Sequence, residues 1–118
     1  MLLALRTPTN LPMIQSIRPT ELKARLDGGD QLVLLDVRQP EEVEICQIEG
    51  ALNIPLDQLA SRSAELDPEA EIVCICHHGM RSANAAAFLL ERDFERLINL
   101  TGGIDGWAAT VDPDMARY

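Results

Sequence analysis

Ile72-Val73-Cys74-Ile75-Cys76-His77-His78-Gly79-Met80-Arg81-Ser82 joins two different periodicities. Ile72 to Cys76 is a continuous apolar run without alternation, the pattern of a strand covered on both faces. After a short polar loop, Ser82 to Glu91 is rich in alanine, a strong helix former. Its expected buried face is Ala83, Ala86, Ala87 and Leu90. A buried strand leading through a tight loop into a helix is the unit from which parallel sheets are built.

The same grammar extends in both directions. Upstream, Leu32 to Val37 is a second unbroken apolar run, and Met13 to Ile17 is a shorter strand candidate. Between them Pro19 stands where a helix starts, Leu22 and Leu26 lie one turn apart, and Gly28-Gly29 ends the helix. Ala51 to Ile54 reads as a third short strand closed by Pro55. Leu56, Leu59, Ser63 and Leu66 then follow at helical spacing until Asp67-Pro68. Downstream, Leu97 to Leu100 is a fifth strand, Thr101-Gly102-Gly103 a turn, and Gly106-Trp107 the expected opening of a last short helix. Strands and helices alternate, so the expected fold is α/β, with a central five-stranded parallel sheet and helices on both faces. The domain is expected over 13–118, behind a tail over 1–12 that carries Pro8, Asn10 and Pro12.

Composition narrows the function classes. The chain has 118 residues, 47% hydrophobic and 25% charged, which fits one folded domain and excludes a disordered chain or a two-domain enzyme. No apolar run reaches the ~18–20 residues that cross a bilayer. Met1 to Leu5 is apolar but lacks a basic flank and is followed by Arg6 and Pro8, so a cytoplasmic location and no membrane contact are expected. Nineteen acidic residues against ten basic ones give a net charge of −9, a field that repels nucleic-acid phosphates. Cys46, Cys74 and Cys76 are too few for a disulfide framework and are taken as thiols. Nothing in the sequence bears on oligomeric state.

Chemistry concentrates after the central strand. Ligands of open parallel sheets sit beyond the carboxyl ends of the strands, where Cys76 is expected. A loop curling at Gly79 can turn successive N–H groups of His77, His78, Gly79, Met80 and Arg81 inward as an anion nest. The following helix adds the positive end of its dipole. That dipole contributes ~0.3–1 kcal/mol, less than one pKa unit, so several loop amides are needed to ionise a thiol near neutral pH. On these grounds Cys76 is expected to be largely ionised at pH 7.

These residues resemble the rhodanese family of sulfurtransferases, in four motifs that run in order from about Met13 onward. Asp36-Val37-Arg38 with Pro40-Glu41-Glu42 looks like the first, and Ile48-Glu49-Gly50-Ala51-Leu52-Asn53-Ile54-Pro55 the second. Cys76 to Ser82 is similar to the active-site loop, and Gly102-Gly103-Ile104-Asp105-Gly106-Trp107 to the closing motif. The resemblance implies that Cys76 takes sulfane sulfur from a small anionic donor such as thiosulfate and passes it, as a persulfide, to cyanide or a thiol. His77, His78, Gly79, Met80 and Arg81 would line the binding loop. An acceptor protein is a further partner, and a delivery or regulatory module with little small-molecule turnover is the alternative reading. No cofactor beyond the covalent persulfide is implied. Four residues separate Cys76 from Arg81, whereas the related phosphatases have five, which favours a sulfur-sized target.

The other polar residues carry blander expectations. Asp36 and Arg38 are read as structural support that ties loops together, with Glu42 as support and an ion-pair partner of Arg38. Arg81 could meet an anion or brace the loop against an acidic residue. The side chains of His77 and His78 are equally read as tuning the loop or as simply exposed. Cys74 is read as a buried strand residue. Cys74, Cys76, His77 and His78 leave one strand end together and do not converge tetrahedrally, so no metal is expected. Trp107 reads as a core or lid aromatic. The chain departs from the family at Cys46-Gln47, where Gly-His is common, and at Val43, where an aromatic is frequent. Cys46 is read as a thiol without a role, the sharper alternative being a disulfide with Cys76 or sulfur acceptance from it.

Overall fold

The computed structural model describes residues 13–118, so the expected tail over 1–12 lies outside the described residues. Strands β1 (Met13–Ile17), β2 (Val33–Asp36), β3 (Leu52–Asn53), β4 (Ile72–Ile75) and β5 (Arg96–Leu100) form one sheet in the order β1-β5-β4-β2-β3. Every pairing is parallel. The connections hold helices α1 (Pro19–Asp27), α2 (Pro40–Ile45), α3 (Leu59–Arg62) and α4 (Met80–Leu90), and α5 (Gly103–Thr110) follows β5. This is the expected α/β architecture, with helices on both faces.

The unbroken apolar runs belong to the central strands because both of their faces meet helices. All four residues of β4 are buried. Alternation along β4 divides them between two cores. Ile72 and Cys74, together with Cys76 beyond the strand, pack with Leu59, Ala85, Ala86 and Leu89 on the side of α3 and α4. Val73 and Ile75 pack with Leu22, Ile104 and Trp107 on the side of α1 and α5. Trp107 is thus a core residue. At the sheet edge Met13 is exposed, as a strand with one open side allows.

Four local expectations need correction. The buried face of α4 is Ser82, Ala85, Ala86 and Leu89, while Ala87 is exposed. An alanine-rich helix gives little contrast between faces, and Ser82 is buried because its hydroxyl finds a hydrogen-bond partner in Asn99. Helix α5 starts at Gly103 rather than Gly106. Its first-turn N–H groups on Ile104 and Asp105 donate to the carbonyls of Cys76 and His77, at 2.8 and 3.1 Å. Pro40–Ile45, read only as a motif, is helical: Pro40 opens it and Glu42 turns its carboxylate back to the Gln39 N–H at 3.0 Å. The single helix expected from Leu56 is instead α3 flanked by 3-10 turns at Leu56–Gln58 and Ser63–Glu65. Leu59 and Leu66 still bury themselves.

The register sets the site. Asp36 of β2 lies beside Ile75 of β4, and Cys74 of β4 beside Asn99 of β5. The chain segments that leave these three strands therefore emerge side by side at the carboxyl edge of the sheet.

Candidate active site

Cys76 is the first residue beyond β4, and the chain turns over it to enter α4. Gly79, at φ +110°, makes that turn in a backbone region that side-chain-bearing residues avoid. The Gly79 N–H donates to Cys76 Sγ at 3.0 Å, and Ser82 Oγ stands 3.3 Å from the same sulfur. The residue is 1% exposed. Burial pushes the thiol up, but the Ser82 hydroxyl and the N–H groups of Ser82, Gly79 and His78 outweigh it, so the thiol ionises below its ordinary value. The amides acting on the sulfur therefore come from two residues of the expected loop and from Ser82 beyond it.

Ser82 has one proton and two neighbours. Asn99 Nδ2 donates to the Gly79 carbonyl at 3.1 Å, which turns Asn99 Oδ1, an acceptor, toward Ser82 Oγ at 2.5 Å. With the hydroxyl proton on Asn99, Ser82 offers a lone pair to the neutral thiol. On ionisation the hydroxyl can turn its proton to the thiolate. The backbone amides need no such rearrangement and form the permanent part of the cradle. Cys74 shows the contrast: buried in the sheet near Cys76, it is pushed up to about 12 and stays a thiol.

The loop is anchored from two sides. Behind it, a Cβ on Gly103 would run into the carbonyls of Cys76 and His77, so only glycine allows α5 to dock there. In front, Arg81 makes a double hydrogen bond to the Glu42 carboxylate, at 2.8 and 2.9 Å. Arg81, then the Gln39 N–H and the Tyr118 hydroxyl, overcome the effect of burial and hold Glu42 at about 2.

The Glu42 carboxylate thus pairs with Arg81 and not with Arg38, the partner that the sequence suggests. The fully buried Arg38 pairs with Asp36, at 2.9 Å from Nε and 2.7 Å from Nη2. To Glu42 it donates only at the backbone carbonyl, at 3.2 Å from Nη1. Asp36 takes Nε and Nη2 of the guanidinium from two residues away, and the capping geometry of α2 leaves the Glu42 carboxylate facing Arg81. Arg38 also reaches the Cys46 carbonyl at 2.7 Å, and Asn53 Nδ2 binds the Asp36 and Arg38 carbonyls at 2.9 Å each. Asp36 and Arg38 thus join three chain segments.

On the rim, His78 is exposed and Met80 is 80% exposed. His77 lies between His78 and Tyr118, its ring centroid 3.9 Å from each. Cys46 is a free, half-buried thiol whose sulfur is 3.9 Å from Arg38 Nη1, and Cys76 is free as well. Gln47 lines a separate groove of about 530 Å³ with Lys23, Trp107 and Met115, away from the cysteine loop. Ser82, Asn99, Gly103 and Tyr118 were not singled out as site residues. The first three sit inside or beside recognisable motifs, whereas Tyr118 carries no local signal and arrives only by folding.

A parallel α/β domain that holds a cysteine of lowered pKa among backbone amides at its carboxyl edge has the arrangement that favours a thiolate. Comparison with known proteins specifies the family. The model of the rhodanese-like domain matches residues 18–110, and the chain belongs to that family. It is 40% identical over 105 residues to the probable adenylyltransferase/sulfurtransferase MoeZ of Mycobacterium tuberculosis, covering 87% of this chain but only 27% of that protein. It is 30% identical over 102 residues to the thiosulfate sulfurtransferase GlpE of Pseudomonas aeruginosa, covering 86% of this chain and 91% of that one. Among solved structures, a rhodanese-like domain protein from Staphylococcus aureus superposes with a TM-score of 0.77 at 26% identity, covering 88% of this chain and 98% of that one. Sulfur transfer is the activity that the MoeZ and GlpE relatives share by name. Among the described residues no helix is long and apolar enough to cross a membrane, and no group of three His, Cys, Asp or Glu side chains is placed to hold a metal ion.

Proposed function

We propose that this chain is a sulfurtransferase that carries sulfane sulfur as a persulfide on Cys76, with a small anion such as thiosulfate as donor and cyanide or a thiol as acceptor. The Cys76 thiolate attacks the outer sulfur of thiosulfate. A new S–S bond forms, the donor's S–S bond breaks, and sulfite leaves with the bonding pair. In the second step the acceptor attacks the outer sulfur of the persulfide. Cys76 departs as a thiolate, and the product is thiocyanate from cyanide or a persulfide from a thiol. No electron leaves or enters the protein, and the persulfide is the only carrier the cycle requires.

The observation that carries this reading is the contact of Gly79 N–H with Cys76 Sγ at 3.0 Å, at the base of a loop that opens a helix. Such donors stabilise an anion at the sulfur in both halves of the cycle without reorganising. The first-turn N–H groups of α4 at Met80 and Arg81 have no acceptor within the helix, which supports a part for them in holding an added sulfur. Arg81 is committed to Glu42, so its part is to brace the loop. The similarity to a thiosulfate sulfurtransferase along nearly its whole length supports the choice of donor.

A second reading, delivery of sulfur to an acceptor protein with little turnover of small donors, draws on Met80, which offers an apolar contact at the rim. A reducing compartment such as the cytoplasm suits three free thiols. The test is direct. Thiosulfate-treated protein should gain the mass of one sulfur on Cys76, and Cys76→Ala should neither gain it nor form thiocyanate. Turnover by the alanine variant would overturn the proposal, while stable loading of the wild type without turnover would favour delivery.

A further inference from the structure

We propose that Tyr118 is a specificity-determining residue whose ring walls the entrance to Cys76 on the His77 side and limits the size of acceptor that reaches the sulfur. The inference rests on the sulfurtransferase reading above and adds the element that selects the acceptor.

Tyr118 lies flat on His77, the residue after Cys76, with centroids 3.9 Å apart and planes 8° from parallel. Its hydroxyl donates to Glu42 Oε1 at 2.7 Å and accepts from Arg38 Nη1 at 3.0 Å. Those two partners belong to the network that braces the loop, because Glu42 also holds Arg81. A stack and two hydrogen bonds to charged groups therefore fix the ring against the loop, although it is 40% exposed. His77 depends on it in turn. The Nε2 of His77 is buried without a hydrogen-bond partner among the described residues, so its imidazole is held by stacking between His78 and Tyr118.

Access is the quantity this arrangement controls. With Cys76 1% exposed, an acceptor reaches the outer sulfur only through the loop opening. Transfer adds a further demand. The acceptor must attack in line with the persulfide S–S bond, forming its own bond to the outer sulfur as the electron pair returns to Cys76 Sγ. Met80 stands 80% exposed, whereas Arg81 and Tyr118 are both tied to Glu42. Linear cyanide passes a fixed wall; a thiol carrying peptide bulk meets the ring.

The measurement is kcat/KM for glutathione and for cyanide at one thiosulfate concentration, in wild type and in Tyr118→Ala, Tyr118→Phe and Tyr118→Trp. The ratio of the two values cancels the shared loading step. Tyr118→Ala should raise the glutathione-to-cyanide ratio ~5-fold or more, within the range over which pocket sterics discriminate. Tyr118→Phe, which keeps the stack, should stay near the wild-type ratio, and Tyr118→Trp should lower it. An unchanged ratio in both Tyr118→Ala and Tyr118→Trp, or a Tyr118→Phe shift as large as that of alanine, would overturn the inference. Failure of the wild type to load sulfur would instead strike the underlying reading, and mass measurement before the acceptor is added separates the two.

Discussion

Arg38 is fully buried, and its charge survives because Asp36 meets it at two nitrogens. Burial alone would lower its pKa; the hydrogen bonds it donates to Asp36 and Tyr118 more than reverse that, so the guanidinium stays charged. Removing one partner of such a pair leaves an uncompensated buried charge, at a cost of ~3–5 kcal/mol. Asp36→Ala should therefore lose about that much stability in urea unfolding, far more than loss of an exposed pair such as Arg62–Glu65. Replacing both Asp36 and Arg38 by apolar residues should recover part of it. At this scale the sequence was informative about types and silent about partners. The Asp36 and Arg38 motif announced a loop-binding pair, but the partner of Glu42 depends on how α2 and α4 meet in space.

Between elements, α2 and α4 are joined by Glu42 and Arg81. The carboxyl sits at about 2, below the ordinary value near 4.3 that an unfolded chain shows. A depressed folded-state pKa contributes stability that is present in full above the unfolded value and is lost as pH falls toward the folded one. Between about pH 5 and pH 2 the wild type should therefore lose stability that Glu42→Gln lacks throughout. Chemical denaturation of both proteins at several pH values should show the difference narrowing as the acid end is approached; a constant difference would contradict the assignment. The half-exposed setting of Arg81 keeps the effect modest. The existence of α4 was legible from its alanines, but its phase was not. A run of small residues leaves the buried face to be chosen by Gly79 and by the Ser82–Asn99 hydrogen bond.

Across the whole molecule, Cys76 sits in a locally donor-rich loop within a chain of net charge −9. Screening over ~8 Å at physiological salt lets the nearby amides outweigh distant carboxylates. The loop is also where the middle of the chain meets its last helix, since α5 docks its N-terminus on the Cys76 and His77 carbonyls. Gly103 makes this possible at φ +61°, with no room for a Cβ. Gly103→Ala should cost ~1–3 kcal/mol from backbone strain alone, and more from the carbonyl clash. It should also reduce sulfur loading on Cys76, read by mass and by thermal unfolding of the same samples. By itself the sequence determined the α/β class, the five parallel strands and the position of Cys76 at a strand end, because apolar runs, alternating elements and a compact loop motif are local patterns. Only the tertiary structure decided the Glu42–Arg81 pairing, the early start of α5 and the presence of Tyr118 beside His77. Each of those contacts joins residues far apart along the chain, and no local propensity encodes which distant groups will share one desolvated space.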